Sequence, residues 1–252
     1  MWSKAKQKLV RSLASKKGRE REGLFLAEGP KVVGELLGNF PCRFIAGTTD
    51  YWQSHVAPDA DEVVDISFAE LEQASLQRAP QEVLAVFELP DADGDQSFPT
   101  DGLTLALDGV QDPGNVGTIL RIADWFGIET VYCSPDTADV FSPKVVQASM
   151  GALARVRARY VSLPSFLRGL PEETPVYGTF LDGDALYHAS LAQSGVLVMG
   201  NEGNGISVDV AECVTQRLYI PSYPVGRPTS ESLNVATATA ICCAEFRRRV
   251  LN

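Results

Sequence analysis

Histidine is nearly missing from this chain: in 252 residues there are only His55 and His188, and neither stands in a stretch that reads as a site. Cysteine is sparse as well. Cys42, Cys133, Cys213, Cys242 and Cys243 form an odd set without a CxxC pair, so neither a disulfide framework nor a zinc site is indicated and no metal is expected. All five read as reduced core residues. No apolar run approaches the roughly 18 residues that a membrane helix needs. The N-terminus, MWSKAKQKLVRSLASKKGRER, is basic without the apolar stretch of a signal peptide, so a soluble, cytoplasmic protein without a membrane partner is expected. A Gly-x-Ser-x-Gly elbow is also missing, which removes the usual serine hydrolase.

What is present is core material and an uneven charge. Hydrophobic residues make up 45% of the chain and charged ones 21%, which suits one large or two modest globular domains. The net charge of −10 argues at first against nucleic acid, but residues 1–31 hold nine Lys/Arg and three Glu. That is a balance of +6, which leaves −16 for the remainder. A basic arm on an acidic body is expected where one segment meets phosphate, through Lys4, Lys8, Arg11, Lys16, Lys17, Arg19 and Arg21. A solvated amphipathic helix would give the same composition.

Along the chain, Leu9, Val10 and Leu13 mark one side of an N-terminal helix. LFLAEGPKVVGELL then reads as strand, turn and helix, and RFIAGTT, EVVDIS and EVLAVFEL alternate as strands with helices between them. The Pro-, Gly- and Asp-rich stretch PDADGDQSFPTDG lacks apolar periodicity and is the best linker. Residues 1–90 and 103–252 are therefore taken as two α/β domains joined by 91–102. In the second, LTLAL, TVYC, PVYGTF, VLVMG and RLYIP alternate with helices, which predicts a mostly parallel sheet covered on both faces. Ligands bind such sheets outside the carboxyl ends of the strands.

Three unusual loops lie at such ends. In LALDGVQDPGNVGTILRIADWFG, Pro113 fixes a turn, Gly114 permits positive φ, and Asn115 is placed to cap a helix starting at about Val116. Ile119, Ile122, Ala123 and Phe126 should face the sheet, with Gly127 ending the helix. Arg121 falls off that stripe, on a line with Gly114, Gly117, Thr118 and Trp125; taken alone it could be an ordinary surface arginine. In VLVMGNEGNGIS, a buried strand runs into a loop with three glycines and Glu202, matching neither the Walker loop nor the GxGxxG fingerprint. In LYIPSYPVGRPTSESLNVATATAICCAEFRRR, Ser232 and Asn234 stand at the head of a small-residue helix. The arginines at its end suit the helix dipole.

Together these segments resemble the three motifs of the SpoU (TrmH-like) branch of the SPOUT RNA ribose 2′-O-methyltransferases, over roughly residues 103–250. FSPKVVQASMGALARV between them is also similar to that family. Residues 1–90 more loosely resemble the L30e-like RNA-binding domain that precedes many such catalytic domains. The resemblance implies an α/β fold with a trefoil knot, a homodimer, and S-adenosylmethionine as cofactor. It implies cofactor contacts at Thr179, Gly200, Asn201, Ile220, Ser232 and Leu233, where Gly200 and Gly203 would let a ligand approach the backbone. It further implies catalytic roles for Asn115, Arg121, Glu202, Ser232 and Asn234. Since a guanidinium stays protonated to about pH 12, Arg121 is expected to grip a phosphate and steady a developing alkoxide rather than accept a proton. RVRARY is expected to put Arg155, Arg157 and Arg159 on one strand face for RNA, or to be an edge strand protected by charge. Ribosomal RNA is the favoured substrate; tRNA, or an RNA-binding homologue without catalysis, is the alternative.

Overall fold

The computed structural model describes residues 1–90, 102–224 and 227–250, so the expected linker lies outside the described residues except for Gly102. The chain divides into two compact units, Met1–Asp95 with Asp139–Ala154, and Gln96–Ala138 with Arg155–Asn252.

The first unit runs α1 (Lys4–Ser12), α2 (Lys16–Glu22), β1 (Leu24–Glu28), α3 (Pro30–Leu36), β2 (Cys42–Thr48), α4 (Thr49–Ser54), β3 (Val63–Ile66), α5 (Phe68–Ala74) and β4 (Val83–Glu88). Its four-stranded sheet has the order β1-β4-β2-β3, parallel only between β2 and β3. Val10 and Leu13 of α1 are fully buried in a core with Leu26, Phe44, Val64 and Leu84, so the basic arm is a packed helical layer. Alternation puts Phe25 on the other face of β1, where Phe87 stacks at 5.5 Å and Phe141 lies at 4.9 Å. Phe141 belongs to the segment Asp139–Ala154, which reaches this unit from the middle of the second. A division at one linker therefore misses it.

In the second unit, β5 (Leu103–Asp108), α6 (Pro113–Trp125) and β6 (Thr130–Cys133) precede that excursion, which carries α7 (Pro143–Ser149). Then follow β7 (Arg157–Tyr160), α8 (Leu163–Arg168), β8 (Val176–Ala185), β9 (Gly195–Gly200), α9 (Val208–Ala211), β10 (Gln216–Tyr219) and α10 (Val235–Val250). The sheet is six-stranded and parallel throughout, in the order β10-β8-β9-β5-β6-β7. β5 and β9 are buried at every position, as central parallel strands covered on both faces should be. The chain order reverses between these two strands, so the crevice outside their carboxyl ends is the place for a ligand.

Local chemistry shifts α6 from its expected frame. Asp112, not Asn115, is the cap: its side chain accepts from the Asn115 backbone N–H at 2.9 Å, and Pro113 takes the first helical position. Gly114 is absent from the positive-φ residues, while Gly127, at φ 63°, does end the helix. The buried stripe is Val116, Ile119, Leu120 and Ala123; Ile122 and Phe126 are only half-buried. The arginines of α10 are held by more than a dipole. Arg247 donates to the carbonyls of Phe126 and Gly127, and Arg248 and Arg249 both bond the buried Glu245 carboxylate. Cys42, Cys133, Cys242 and Cys243 are buried and Cys213 half-buried, all free.

Candidate active site

Strand β8 and the loops after β9 and β10 converge on one cleft of about 1080 Å³. Thr179, Gly200, Asn201, Ile220, Ser232 and Leu233 all stand on its wall. Its lining mixes apolar surface, including Leu181, Met199 and Ile206, with the acids Asp182, Glu202 and Glu231. Cys242 also lines it, but burial pushes that thiol up to about 12, so it is no nucleophile. Along one side Arg217 lies 3.5 Å over the Phe180 ring and pairs with Asp182 at 2.5 Å.

Glycine at Gly200 is required by the loop itself. A Cβ there would come within 2.3 Å of the Gly205 carbonyl carbon and 2.4 Å of the Ile206 nitrogen. The loop folds back because Asn201 and Gly205 exchange backbone hydrogen bonds of 2.9 Å each way. Packing of the chain on itself is thus a requirement for this glycine, beside the ligand access expected of it.

Glu202 ties this loop to the one after β5. Its carboxylate accepts from Asn115 Nδ2 at 3.0 Å, the Asp112 N–H at 3.2 Å and the Gln111 N–H at 3.3 Å. Partial burial pushes the carboxyl up, but these hydrogen bonds outweigh it and hold the group below its ordinary value. Asn115 is free to face Glu202 because Asp112 does the capping. Its Oδ1 accepts from Asn234 Nδ2 at 2.9 Å, while Asn234 Oδ1 takes the N–H groups of Ala236 and Thr237 at 3.0 and 3.3 Å. Glu202, Asn115 and Asn234 therefore form one chain of hydrogen bonds from the cleft to the start of α10. Two supports carried no signal in the sequence beyond their place at strand ends. Buried Asp108 accepts the Ser207 N–H at 2.7 Å, and the carbonyl of Gly109 accepts from Asn201 Nδ2, also at 2.7 Å.

Arg121 is exposed on α6, is not among the residues lining the cleft, and its side chain has no hydrogen bond or ion pair among the described residues. Ser232 is likewise exposed and unbonded among them. Of the cations expected to meet RNA, Lys4, Lys8, Lys16 and Lys17 are exposed; Arg11 is exposed but donates to Gln73 O, and Arg21 pairs with Glu22. Arg19 cannot serve: it is 3% exposed, bound to Asp139 and to the Leu13 carbonyl. Arg155 lies outside β7 and forks onto Asp124 at 2.8 and 2.9 Å, so the three cations do not share a strand face. Arg157 and Arg159 do lie on β7, which is an edge strand. Among the described residues no group of three or more His, Cys, Asp or Glu is placed to hold a metal ion, and no helix is long and apolar enough to cross a membrane.

Comparison with known proteins adds three likenesses. The chain is 31% identical over 242 residues to the 23S rRNA (guanosine(2553)-2′-O)-methyltransferase RlmP of Bacillus subtilis (strain 168), covering 94% of each. Its fold superposes on a TrmH-family RNA methyltransferase structure from Porphyromonas gingivalis with a TM-score of 0.87, 49% identity and 99% coverage of both chains. It also superposes on the S-adenosylmethionine-bound rRNA methyltransferase of Sinorhizobium meliloti, with a TM-score of 0.83, 29% identity, and coverage of 100% of this chain and 97% of that one. Residues 4–85 match the MRM3-like substrate binding domain. With residues 102–244 matching the SpoU rRNA methylase model, and the three motif segments joined through Glu202, Asn115 and Asn234, the chain belongs to the SpoU rRNA methylase family.

Proposed function

We propose that this chain methylates a ribose 2′-hydroxyl of ribosomal RNA, with S-adenosylmethionine held in the cleft of the second unit. The observation that carries the reading is the cleft itself, joined to Asn115 and Asn234 through Glu202. Its residues fit the cofactor: apolar walls at Leu181, Met199, Ile206, Ile220 and Leu233 suit an adenosine, and the carboxylate of Glu231 suits a cationic sulfur. Bound there, the cofactor supplies a methyl group attached to a positively charged sulfur. Transfer of that methyl group to the ribose oxygen would leave the neutral thioether behind, and the hydroxyl proton would pass to water.

The protein's part is orientation and electrostatics. Glu202 is occupied by three donors and held ionised, so its work is to fix Asn115. Asn115 and Asn234, locked to each other, set the rim over which the ribose enters. Arg121 is cationic, unpaired among the described residues, and cannot take up a proton at neutral pH. It grips the phosphate beside the target ribose and steadies the oxygen as charge develops.

The first unit is the RNA-binding half of this reading. Lys4, Lys8 and Arg11 recur at i, i+4 and i+7 on α1, an exposed cationic stripe. The active form is a homodimer in the cytoplasm. Support for the dimer is the packed pair α6 and α10, which leaves Trp125 84% exposed on one helix and the small Thr237 and Ala244 exposed on the other. The C-terminal segment is threaded as a knot, a reading supported by β10 lying at the sheet edge while α10 returns to pack on α6 and β9.

Incubation of the protein with methyl-labelled S-adenosylmethionine and total RNA, followed by size fractionation and mapping of the 2′-O-methyl position, tests the proposal. Label in large ribosomal RNA is expected. Label confined to tRNA would move the substrate, and no label despite measured cofactor binding would leave an RNA-binding homologue without catalysis.

A further inference from the structure

We propose that Ser134 and Asp136, just beyond β6, are positioning residues for this reaction: they fix Gly109 so that the loops after β5 and β9 lock together beneath the cleft. The inference rests on the methyl-transfer reading for its consequence, though not for its geometry. Neither residue lines the cleft, so whatever they do for catalysis passes through Gly109 and Asn201.

Ser134 is buried, at 5% exposure. Its Oγ accepts the Gly109 N–H at 2.8 Å and donates to Asp136 Oδ1 at 2.5 Å. Thr137 Oγ1 sits 3.0 Å from the same oxygen but spends its proton on the Leu107 carbonyl at 2.9 Å. A serine hydroxyl has one proton to give. With that proton on the Asp136 carboxylate, a lone pair is left facing Gly109, and the direction of every bond is settled.

Gly109 lies at φ 69°, where side chains are disfavoured. A Cβ at that position would come 2.9 Å from Asp136 Oδ2, so the carboxylate fills the space beside the glycine. In this conformation the Gly109 carbonyl meets Asn201 Nδ2 at 2.7 Å. Asn201 Oδ1 in turn accepts the N–H groups of Gly203 and Asn204 at 2.9 and 3.0 Å. Between Asn201 and Gly203 stands Glu202, whose carboxylate holds the far end of the same loop at Gln111, Asp112 and Asn115. The segment 109–115 is thereby tied at both ends, and the Ser134–Asp136 pair anchors the near end.

The test uses the full chain as wild type, Ser134→Ala and Asp136→Ala, each checked for cooperative unfolding; Asp136 is exposed, so its variant should fold. Three quantities are measured: amide hydrogen exchange over 109–115 and 201–205, S-adenosylmethionine affinity by calorimetry, and methyl transfer to the RNA that wild type labels. Expected is exchange at least about fivefold faster in both loops, although among the described residues no hydrogen bond joins 201–205 to either altered side chain. Turnover should drop by roughly tenfold while cofactor Kd and RNA KM stay within about twofold, a split that general destabilisation would not give. Unchanged exchange at 201–205 in both variants, or wild-type turnover in both, overturns the inference. Should wild type label no RNA, the methyl-transfer reading fails, while the exchange result still decides whether the loop lock exists.

Discussion

Asn115 and Glu202 are 87 residues apart in the chain, yet the amide of one donates to the carboxylate of the other at 3.0 Å. The two groups settle each other: the carboxylate sets which end of the amide points inward, and the other end is left for Asn234. Replacing Glu202 by glutamine keeps the shape but offers one acceptor oxygen to three donors. Turnover should fall by roughly tenfold to a hundredfold, the loss of about 1–3 kcal/mol expected when donors lose a charged acceptor. Steady-state kinetics beside a cofactor titration would check it, and equal losses of cofactor affinity and turnover would assign Glu202 to binding alone.

Arg121 has the opposite character, with no partner of its own among the described residues. Arg121→Ala should cost about 2–4 kcal/mol of transition-state stabilisation, as for an oxyanion-hole donor, with cofactor affinity intact. Arg121→Lys should recover only part, because an ammonium lacks the planar fork that matches a phosphate. Single-turnover methyl transfer measures both, and near-normal rates in the alanine variant would remove Arg121 from the reaction.

Stability should carry a pH signature from α10. Hydrogen bonds from Arg248, then Arg249, hold the Glu245 carboxyl at about 2 against an opposing push from burial. A carboxyl depressed in the folded state stabilises above its unfolded value of 4.5 and loses that contribution as pH falls toward 2. Glu245→Gln should therefore destabilise by about 2 kcal/mol near neutrality, with the difference from wild type shrinking below pH 4.5. Urea unfolding of both proteins from pH 7 down to 3 reads it; a pH-independent difference would mean that packing, not charge, is lost.

The strands and the three motif loops were legible because parallel strands announce themselves as apolar runs and the loops as Gly, Pro and Asn clusters at their ends. The capping of α6 was not. Asp112 and Asn115 are both good caps by type, and the choice between them depends on Glu202, which lies 90 residues beyond Asp112 and claims Asn115 in three dimensions. The excursion Asp139–Ala154 was hidden for a similar reason. Phe141 reads locally as a residue of the second unit, and only the uncovered face of Phe25 explains where it goes. Gly200 shows a motif residue legible in position but not in cause, since its neighbours in space come from its own loop.

That cause makes Gly200→Ala informative. The added Cβ meets backbone atoms at 2.3 and 2.4 Å, which cannot rotate away, so the 201–205 turn must open at a cost of about 1–3 kcal/mol. Cofactor affinity should fall with thermal stability in the same variant, whereas Gly203→Ala, with only Asn201 Oδ1 at 3.6 Å from the new atom, should change neither by much. Calorimetric titration of the two variants distinguishes a glycine kept for loop closure from one kept for ligand access, since the latter would make Gly203→Ala equally harmful.

The basic N-terminal helices hold cations of two kinds that charge counting alone cannot separate. Lys4 and Lys8 are exposed, and reversing both to glutamate should weaken RNA binding and flatten its salt dependence, by roughly 0.7 in slope for each single-stranded phosphate left unneutralised. The unfolding midpoint should not change. Arg19 is buried against Asp139. Its replacement by alanine strands a partly buried carboxylate and should cost about 3–5 kcal/mol of stability, with the salt slope of RNA binding preserved in whatever fraction stays folded. Filter binding of RNA at several salt concentrations, paired with thermal unfolding, separates the two outcomes. A salt slope that stays at the wild-type value in the Lys4, Lys8 double variant would remove the α1 stripe from the RNA footprint.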